Sequence, residues 1–402
     1  MNLSRIGLAG AALFALAACE QHGGVMAAGG PLETANVFKV LAPIESGNLL
    51  LFPVVRANGK SPGATPFLTL DEGIKSGQVE VTEAGKVRGL VRPRGGRPGV
   101  ENYGGDQVNT LVLVNNSNQP LLLLAGEIVT GGKQDRVIAK DRIVRAGGDP
   151  IDLSVFCIEH GRWTESSATF GAAGKGSVGS FMAQPTVRQE TMVAKSQQSV
   201  WDSVRGAMSE MAAAAPPASS GQMNASPYGE PRSFGTTSYA KAMQDSNVSA
   251  KVDEAAAPVM RSREQVLAKL REEHAVGVVV AVRGEIVWAD LFAGTELLSR
   301  YWTKLVRSYA AESLTEGETH SAPTIADAQH FLDAPTGGTE SSEGEVGVYR
   351  YRELRSGGTE TFVLESLLPA TGYDVHISKL RLKGEERRVK PQFMDRPPII
   401  VR

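Results

Sequence analysis

The stretch Val276-Gly277-Val278-Val279-Val280-Ala281-Val282, Arg283-Gly284, Glu285-Ile286-Val287-Trp288-Ala289-Asp290-Leu291-Phe292 runs directly into Thr295-Glu296-Leu297-Leu298-Ser299-Arg300-Tyr301-Trp302. Two apolar runs on either side of an Arg-Gly turn read as paired strands. Leu297, Leu298, Tyr301, Trp302, Leu305, Val306 and Tyr309 then recur at three- and four-residue steps, so Thr295 to Glu312 reads as an amphipathic helix with one apolar stripe. Its aromatic residues read as packing groups. Strand, strand and packed helix together predict an α+β fold.

Working outward, the same alternation of signals continues. Ser262 and Gln265 fit a capping box ahead of Val266, Leu267 and Leu270. From Val37 to Cys157 the sequence reads as strands with turns between them. Asn48 to Val55 is an apolar run, Val79 to Glu83 alternates like a half-exposed strand, and Leu70 to Lys75 reads as one helical turn. Leu111 to Val114 and Leu121 to Leu124 flank the turn cluster Asn115-Asn116-Ser117-Asn118 and read as a hairpin. Thr186 to Met211 reads as one helix, capped by Thr186 and Gln189, with Val193, Val200, Val204, Ala207 and Met211 on its apolar face. Periodicity is lost from Ala212 to Pro258, which predicts a disordered, low-complexity insertion over 212–261. An acidic and polar bridge, 313–345, holds a short helical pattern at Ile325 to Leu332. A small C-terminal β module, 346–402, turns at Ser356-Gly357-Gly358 and places Arg350 and Arg352 opposite Tyr349 and Tyr351, a pattern that reads as a solvated basic face. The expected architecture is therefore a strand-rich main α+β domain over 37–312 with packed amphipathic helices, the insertion inside it, and the β appendage beyond it.

The N-terminus reads as an address. Arg5 precedes an apolar run from Ile6 to Ala18, too short for the roughly 20 residues of a spanning helix. Leu16-Ala17-Ala18-Cys19 closes it like a bacterial lipoprotein signal, which makes 1–18 a signal peptide, Cys19 the lipidated residue and 19–36 a polar, Gly-rich tether. Glu20 follows Cys19 where an Asp would favour inner-membrane retention, so the expectation is an outer-membrane anchor facing the periplasm, with the membrane as partner through that lipid. The chain has 402 residues, 42 Lys+Arg against 44 Asp+Glu, and 42% hydrophobic residues, enough for two or three domains with real cores. That charge balance lacks the footprint of a nucleic-acid binder. With Cys19 acylated, Cys157 has no partner for an intramolecular disulfide, and its apolar surroundings predict a buried, unreactive thiol.

No motif fixes a reaction. Gly126-Glu127-Ile128-Val129-Thr130-Gly131-Gly132-Lys133-Gln134 lacks the phosphate-loop order of Gly, Lys and Ser/Thr. Its Gly131-Gly132 turn could still offer backbone N–H groups to an anion, with Lys133, Gln134 and Arg136 beside it, or could simply be a tight turn. Glu159, Arg162 and Trp163 follow an apolar strand. Arg162 could pair with Glu127 or Glu159, or bind a carboxylate or phosphate, and Trp163 could stack on a ring. Glu127 and Glu159 are the acid/base candidates, should there be a reaction. The six histidines show no His-x-x-x-His spacing, no Ser sits in Gly-x-Ser-x-Gly, and no cofactor motif is present.

The strings Val114-Asn115-Asn116-Ser117, Leu124-Ala125-Gly126-Glu127, Gly131-Gly132-Lys133-Gln134-Asp135-Arg136, Cys157-Ile158-Glu159-His160-Gly161-Arg162-Trp163 and Asp290-Leu291-Phe292 together resemble one family, the ARG and Rhodanese-Phosphatase-superfamily-associated protein domain. The resemblance spans about Val37 to Glu312 and implies genomic company with ADP-ribosylglycohydrolases and phosphatases, without an activity. The resulting expectation is an envelope lipoprotein that binds or scaffolds without catalysis, its partner a small anionic ligand or an envelope protein. The alternative is a hydrolase or sensor for a phosphate- or carboxylate-bearing ligand related to ADP-ribose or nucleotides, held by the Gly-Gly-Lys-Gln-Asp-Arg loop. A third expectation assigns the partner to the C-terminal hairpin, so that deletion beyond Leu314 would leave a folded domain.

Overall fold

The structure is a computed structural model, and it describes residues 37–58, 66–83, 111–162, 166–174, 180–217, 234–260, 263–314, 320–336, 338–369 and 372–382. The chain opens with β1 (Phe38–Val40), β2 (Ile44–Ser46) and β3 (Leu49–Arg56), then β4 (Leu68–Thr69), α1 (Leu70–Lys75) and β5 (Val79–Glu83). Eight short strands follow: β6 (Leu111–Asn115), β7 (Leu121–Leu123), β8 (Ile128–Thr130), β9 (Arg136–Ile138), β10 (Arg142–Val144), β11 (Ile151–Leu153), β12 (Val155–Cys157) and β13 (Gly171–Ala172). The helical layer comprises α2 (Pro185–Gln189), α3 (Gln197–Ala214), α4 (Tyr239–Gln244), α5 (Ser246–Met260) and α6 (Arg263–Glu272). The chain then forms β14 (Ala275–Val282), β15 (Glu285–Phe292), α7 (Thr295–Ser313), α8 (Ile325–Asp333), β16 (Thr339–Glu345), β17 (Tyr349–Ser356), β18 (Thr359–Ser366) and β19 (Asp374–Arg381). The α+β class expected from the sequence is what the chain adopts.

A nine-stranded antiparallel sheet organises the molecule, in the order β1-β3-β14-β15-β19-β18-β17-β16, with β2 also on β3. Its central strand β14 is buried along its whole length, and its alternating side chains feed two cores. Val278, Val280 and Val282 join the core under the helices, where Leu297, Tyr301, Trp302, Leu305 and Tyr309 of α7 pack. Val276, Val279 and Ala281 face a second core closed by Phe331 and Leu332 of α8. Gly277 permits close strand packing: a Cβ there would lie 2.2 Å from the Asp290 carbonyl. Three small sheets, β10-β7-β4, β11-β6-β5 and β12-β9-β8-β13, enclose a third core.

Several local expectations are corrected. Leu111 to Val114 and Leu121 to Leu124 are strands but do not form a hairpin: β6 pairs with β5 and β11, and β7 with β10 and β4. Asn115 holds the connecting turn, its Nδ2 donating to the Gln119 carbonyl at 2.9 Å and the Arg145 carbonyl at 3.0 Å, which lets the two strands diverge into different sheets. Val79 to Glu83 is nearly all buried rather than half-exposed, because the 168–169 segment packs on Thr82 and the Lys133 N–H bonds Glu83. The helix expected from Thr186 to Met211 is two segments. Lys195, at φ +50°, ends a π-helical turn over Glu190–Ala194, and Ser196 caps α3. The first segment starts one residue earlier, at Pro185, with Gln184 rather than Thr186 at the N-cap position. The box expected at Ser262 falls outside the described residues.

Two larger readings also change. Within 212–261, expected to be disordered, α4 and α5 bury Tyr239, Met243, Val248, Val252 and Val259 among alanines. Alanine lets a helix approach its neighbours closely, but it dilutes the apolar signal. The C-terminal strands are present as expected, yet 346–402 is no separate module over its described part: β19 pairs with β15 and joins β16–β18 to the main sheet. The bridge 313–345 likewise contributes α8 and the edge strand β16. The arginine face is neutralised by neighbouring strands, with Arg350 on Glu365 and Arg352 on Glu340; Arg355, on the opposite face, pairs with Glu360.

Candidate functional site

The Gly131-Gly132 turn and the strand end at Glu159 do converge, and their charges meet one another. Gly131 and Gly132 have φ of +142° and +51°, and a Cβ on Gly132 would lie 2.3 Å from the Phe170 ring, so glycine is required there. Two of the N–H groups that an anion would use are taken by the chain's own carboxylates: Gly131 N–H donates to Asp135 Oδ1 at 3.1 Å and Lys133 N–H to Glu83 Oε1 at 2.9 Å. The Lys133 ammonium lies 4.0 Å from Glu83. Arg162 pairs with Glu159 at 2.8 Å and Asp135 at 3.5 Å, not with Glu127. It also donates to the Gly132 carbonyl at 2.9 Å and the Gly131 carbonyl at 3.4 Å, bracing the turn. Glu159 further accepts from Asp135 N–H at 3.2 Å and lies 3.7 Å from the Lys241 ammonium.

Gln134 and Arg136 are buried beneath this turn. Arg136 Nη1 donates to the Gln134 carbonyl at 2.7 Å, and burial holds its pKa below the ordinary arginine value. Cys157 is buried, as its surroundings predicted; burial pushes its thiol up, with the nearby Arg136 acting against that. The assembly is closed by a segment expected to be disordered: Ser238, the N-cap of α4, donates to Asp135 Oδ2 at 2.7 Å. Trp163 and Cys19 lie outside the described residues.

Glu127 belongs to a different cluster. It is fully buried, accepts from Leu124 N–H at 2.8 Å, and lies 2.7 Å from the Lys304 ammonium, which also reaches Asp71 at 2.7 Å. Burial raises the Glu127 pKa against the pull of Lys304, whereas Lys304 is held charged because its two carboxylates outweigh its own burial. A lysine from α7 and carboxylates from the α1 and β7–β8 regions thus tie the small sheets to the helical layer.

Beside it lies a network that the sequence reading did not assemble. Asp290 of β15 takes a bidentate pair from Arg188 at 2.9 and 3.0 Å, and bonds from Trp288 Nε1 at 3.0 Å, Ser378 at 2.7 Å and the Tyr309 hydroxyl. His376 of β19 lies between two carboxylates, with Nδ1 2.6 Å from Asp141 and Nε2 3.2 Å from Asp290. Arg188, Asp290, Asp141 and His376 are fully buried. Burial opposes the charge on His376, but Asp141 and Asp290 outweigh it and push the imidazole up to about 9. Burial likewise opposes charge on Asp290, and Arg188 beside it keeps the carboxyl well below the usual range. The signal available in sequence was Asp290 itself, a carboxylate inside an otherwise apolar strand.

A concave surface lies elsewhere, at the far end of the β14–β15 hairpin. This cavity of about 590 Å³ is walled by Pro185 and Thr186, by the start of β15, by Glu312 near the end of α7, by the 320–323 segment and by the end of β19. None of the residues expected to form a site from the sequence lines it. Among the described residues, no group of His, Cys, Asp or Glu is arranged to hold a metal ion, and no helix is long and apolar enough to cross a membrane.

Comparison with known proteins gives one result. Residues 38–380 match the family described as ARG and Rhodanese-Phosphatase-superfamily-associated Protein domain. The match runs past the boundary expected near Glu312 and takes in the strands that complete the main sheet. No curated protein and no solved structure matches the chain. The chain belongs to this family.

Proposed function

We propose that this family member is a non-catalytic binding or scaffold protein of the bacterial envelope, anchored through lipid on Cys19 in the outer membrane and facing the periplasm. The carrying observation is the internal pairing at the Gly131-Gly132 turn: the Gly131 and Lys133 N–H groups bond to Asp135 and Glu83, and the nearby cations face Glu159, Asp135 and Glu83. An external anion would have to displace buried carboxylates, each already in charge-assisted bonds, and would gain little in exchange. Glu127 and Glu159, the acid/base candidates, are likewise engaged in internal ion pairs. Charged groups that satisfy one another in this way hold loops in place, which suits a scaffold.

Two experiments test the reading. Palmitate labelling and membrane fractionation should place the protein in the outer membrane, and Cys19→Ala should abolish both. Incubation of the folded, soluble form with ADP-ribose conjugates and phosphate esters should give no turnover. Turnover that disappears in Glu159→Gln, with the melting temperature unchanged, would establish a hydrolase in place of a scaffold.

A further inference from the structure

We propose that the 590 Å³ cavity beside the β14–β15 hairpin is the binding site for a small organic cation, an assignment that rests on reading the protein as a binder. Its volume lies within the roughly 300–1,000 Å³ range of small-molecule sites. Its walls come from five segments far apart in sequence, and three of these are tied by hydrogen bonds. Gln184 Nε2 and Thr186 N–H donate to the Glu312 carboxylate at 3.0 and 3.1 Å, joined by the Thr186 hydroxyl. Trp288 is fixed by its bond to Asp290, with the Arg188 guanidinium 4.3 Å from its ring centroid. Binding there requires little reordering of the protein.

The lining chooses the charge. Three carboxylates, Glu285, Glu312 and Asp327, face one guanidinium, Arg381, and the imidazole of His320, which lies 3.1 Å from Glu285. Asp327 is committed to the ionised form, because the Thr324 N–H and hydroxyl donate to it and lower its pKa. Ile286, Val287 and Leu382 supply apolar wall that accepts the alkyl body of such a cation. An anionic ligand would meet net repulsion.

The probe is 1,4-diaminobutane, titrated by calorimetry and by tryptophan fluorescence, with 1,4-butanediol as the uncharged match. The expected result is saturable diamine binding, absent for the diol. Glu285→Gln, a change at an exposed rim position, should weaken it at least about tenfold, a loss of about 1.4 kcal/mol, and the remote Glu254→Gln should leave it unchanged. Glu312→Gln should abolish it; if that variant does not fold, Glu285→Gln carries the test. Absence of saturable binding, equal binding of the diol, or indifference to Glu285→Gln would overturn the assignment. None of those outcomes would touch the non-catalytic reading, which falls instead on turnover of a phosphate or ADP-ribose substrate.

Discussion

Raising the pH should destabilise this protein through His376. The ordinary imidazole value is 6.5, and in the fold the group is pushed up to about 9 by Asp141 and Asp290. Its contribution is therefore fully present below 6.5 and is lost as pH rises through 9, because in that window the native state holds a proton that the unfolded chain has released. The gap is worth about 3 kcal/mol in total, of which about 1.5 kcal/mol disappears between pH 6.5 and 8. Lys379 works in the opposite sense. Burial lowers its ammonium to about 8, so its unfolded state binds more protons and stability is regained as pH rises from 8 toward the ordinary lysine value; below pH 8 this returns less than about 0.5 kcal/mol. The assay is urea unfolding at pH 6.5, 7.2 and 8 on the wild type and on His376→Gln. The wild type should lose about 1 kcal/mol across the series, and His376→Gln, though less stable at every pH, should lose none of it. A flat wild-type profile, or an unchanged slope in the variant, would refute the claim that the buried imidazole is charged.

Other consequences follow from the same contacts. Arg162→Ala removes the pair to Glu159 and the two bonds to the glycine carbonyls, and should cost about 2–4 kcal/mol in chemical denaturation. Gly132→Ala forces a Cβ against the Phe170 ring at φ +51° and should lower the melting temperature, whereas Gly206→Ala, inside α3 with open space around it, should stabilise the protein by up to about 1 kcal/mol of helix propensity. Truncation after Leu314 should give an insoluble or unfolded product, since it removes β19, His376 and the strands paired beyond β15. A soluble, cooperatively melting fragment would restore the independent C-terminal module.

Much of the fold was legible because the informative segments are strongly periodic. The β14, β15 and α7 stretch announces itself through valines and an aromatic stripe, and it forms the centre of the molecule. What escaped was long-range pairing and weakly apolar helix. Nothing local says that β6 and β7 join different sheets, or that β19 crosses to pair with β15. The helices α4 and α5 pack through alanine, whose small side chain gives little hydrophobic contrast. The candidate site followed the same division. Gly131, Gly132, Arg136, Glu159 and Arg162 gather, a convergence that two separate strings left open, and whether their charges face a ligand or one another depends on Asp135 within the first string and on Glu83 and Ser238, brought in from two other segments. Glu312 and the cavity were invisible because Thr186, Glu285, Glu312 and Arg381 share no spacing pattern.

The most direct test of the central claim is thermal unfolding of the soluble form, begun after Cys19, titrated with inorganic phosphate and ADP-ribose and repeated with Arg136→Ala and Arg162→Ala. If the loop charges are architecture, neither anion shifts the midpoint and both variants melt early. A midpoint that rises by several degrees with either anion, as a ligand at about 100 times its Kd would produce, and that loses this response in variants with an unchanged unliganded midpoint, would mean that the loop is a binding site after all.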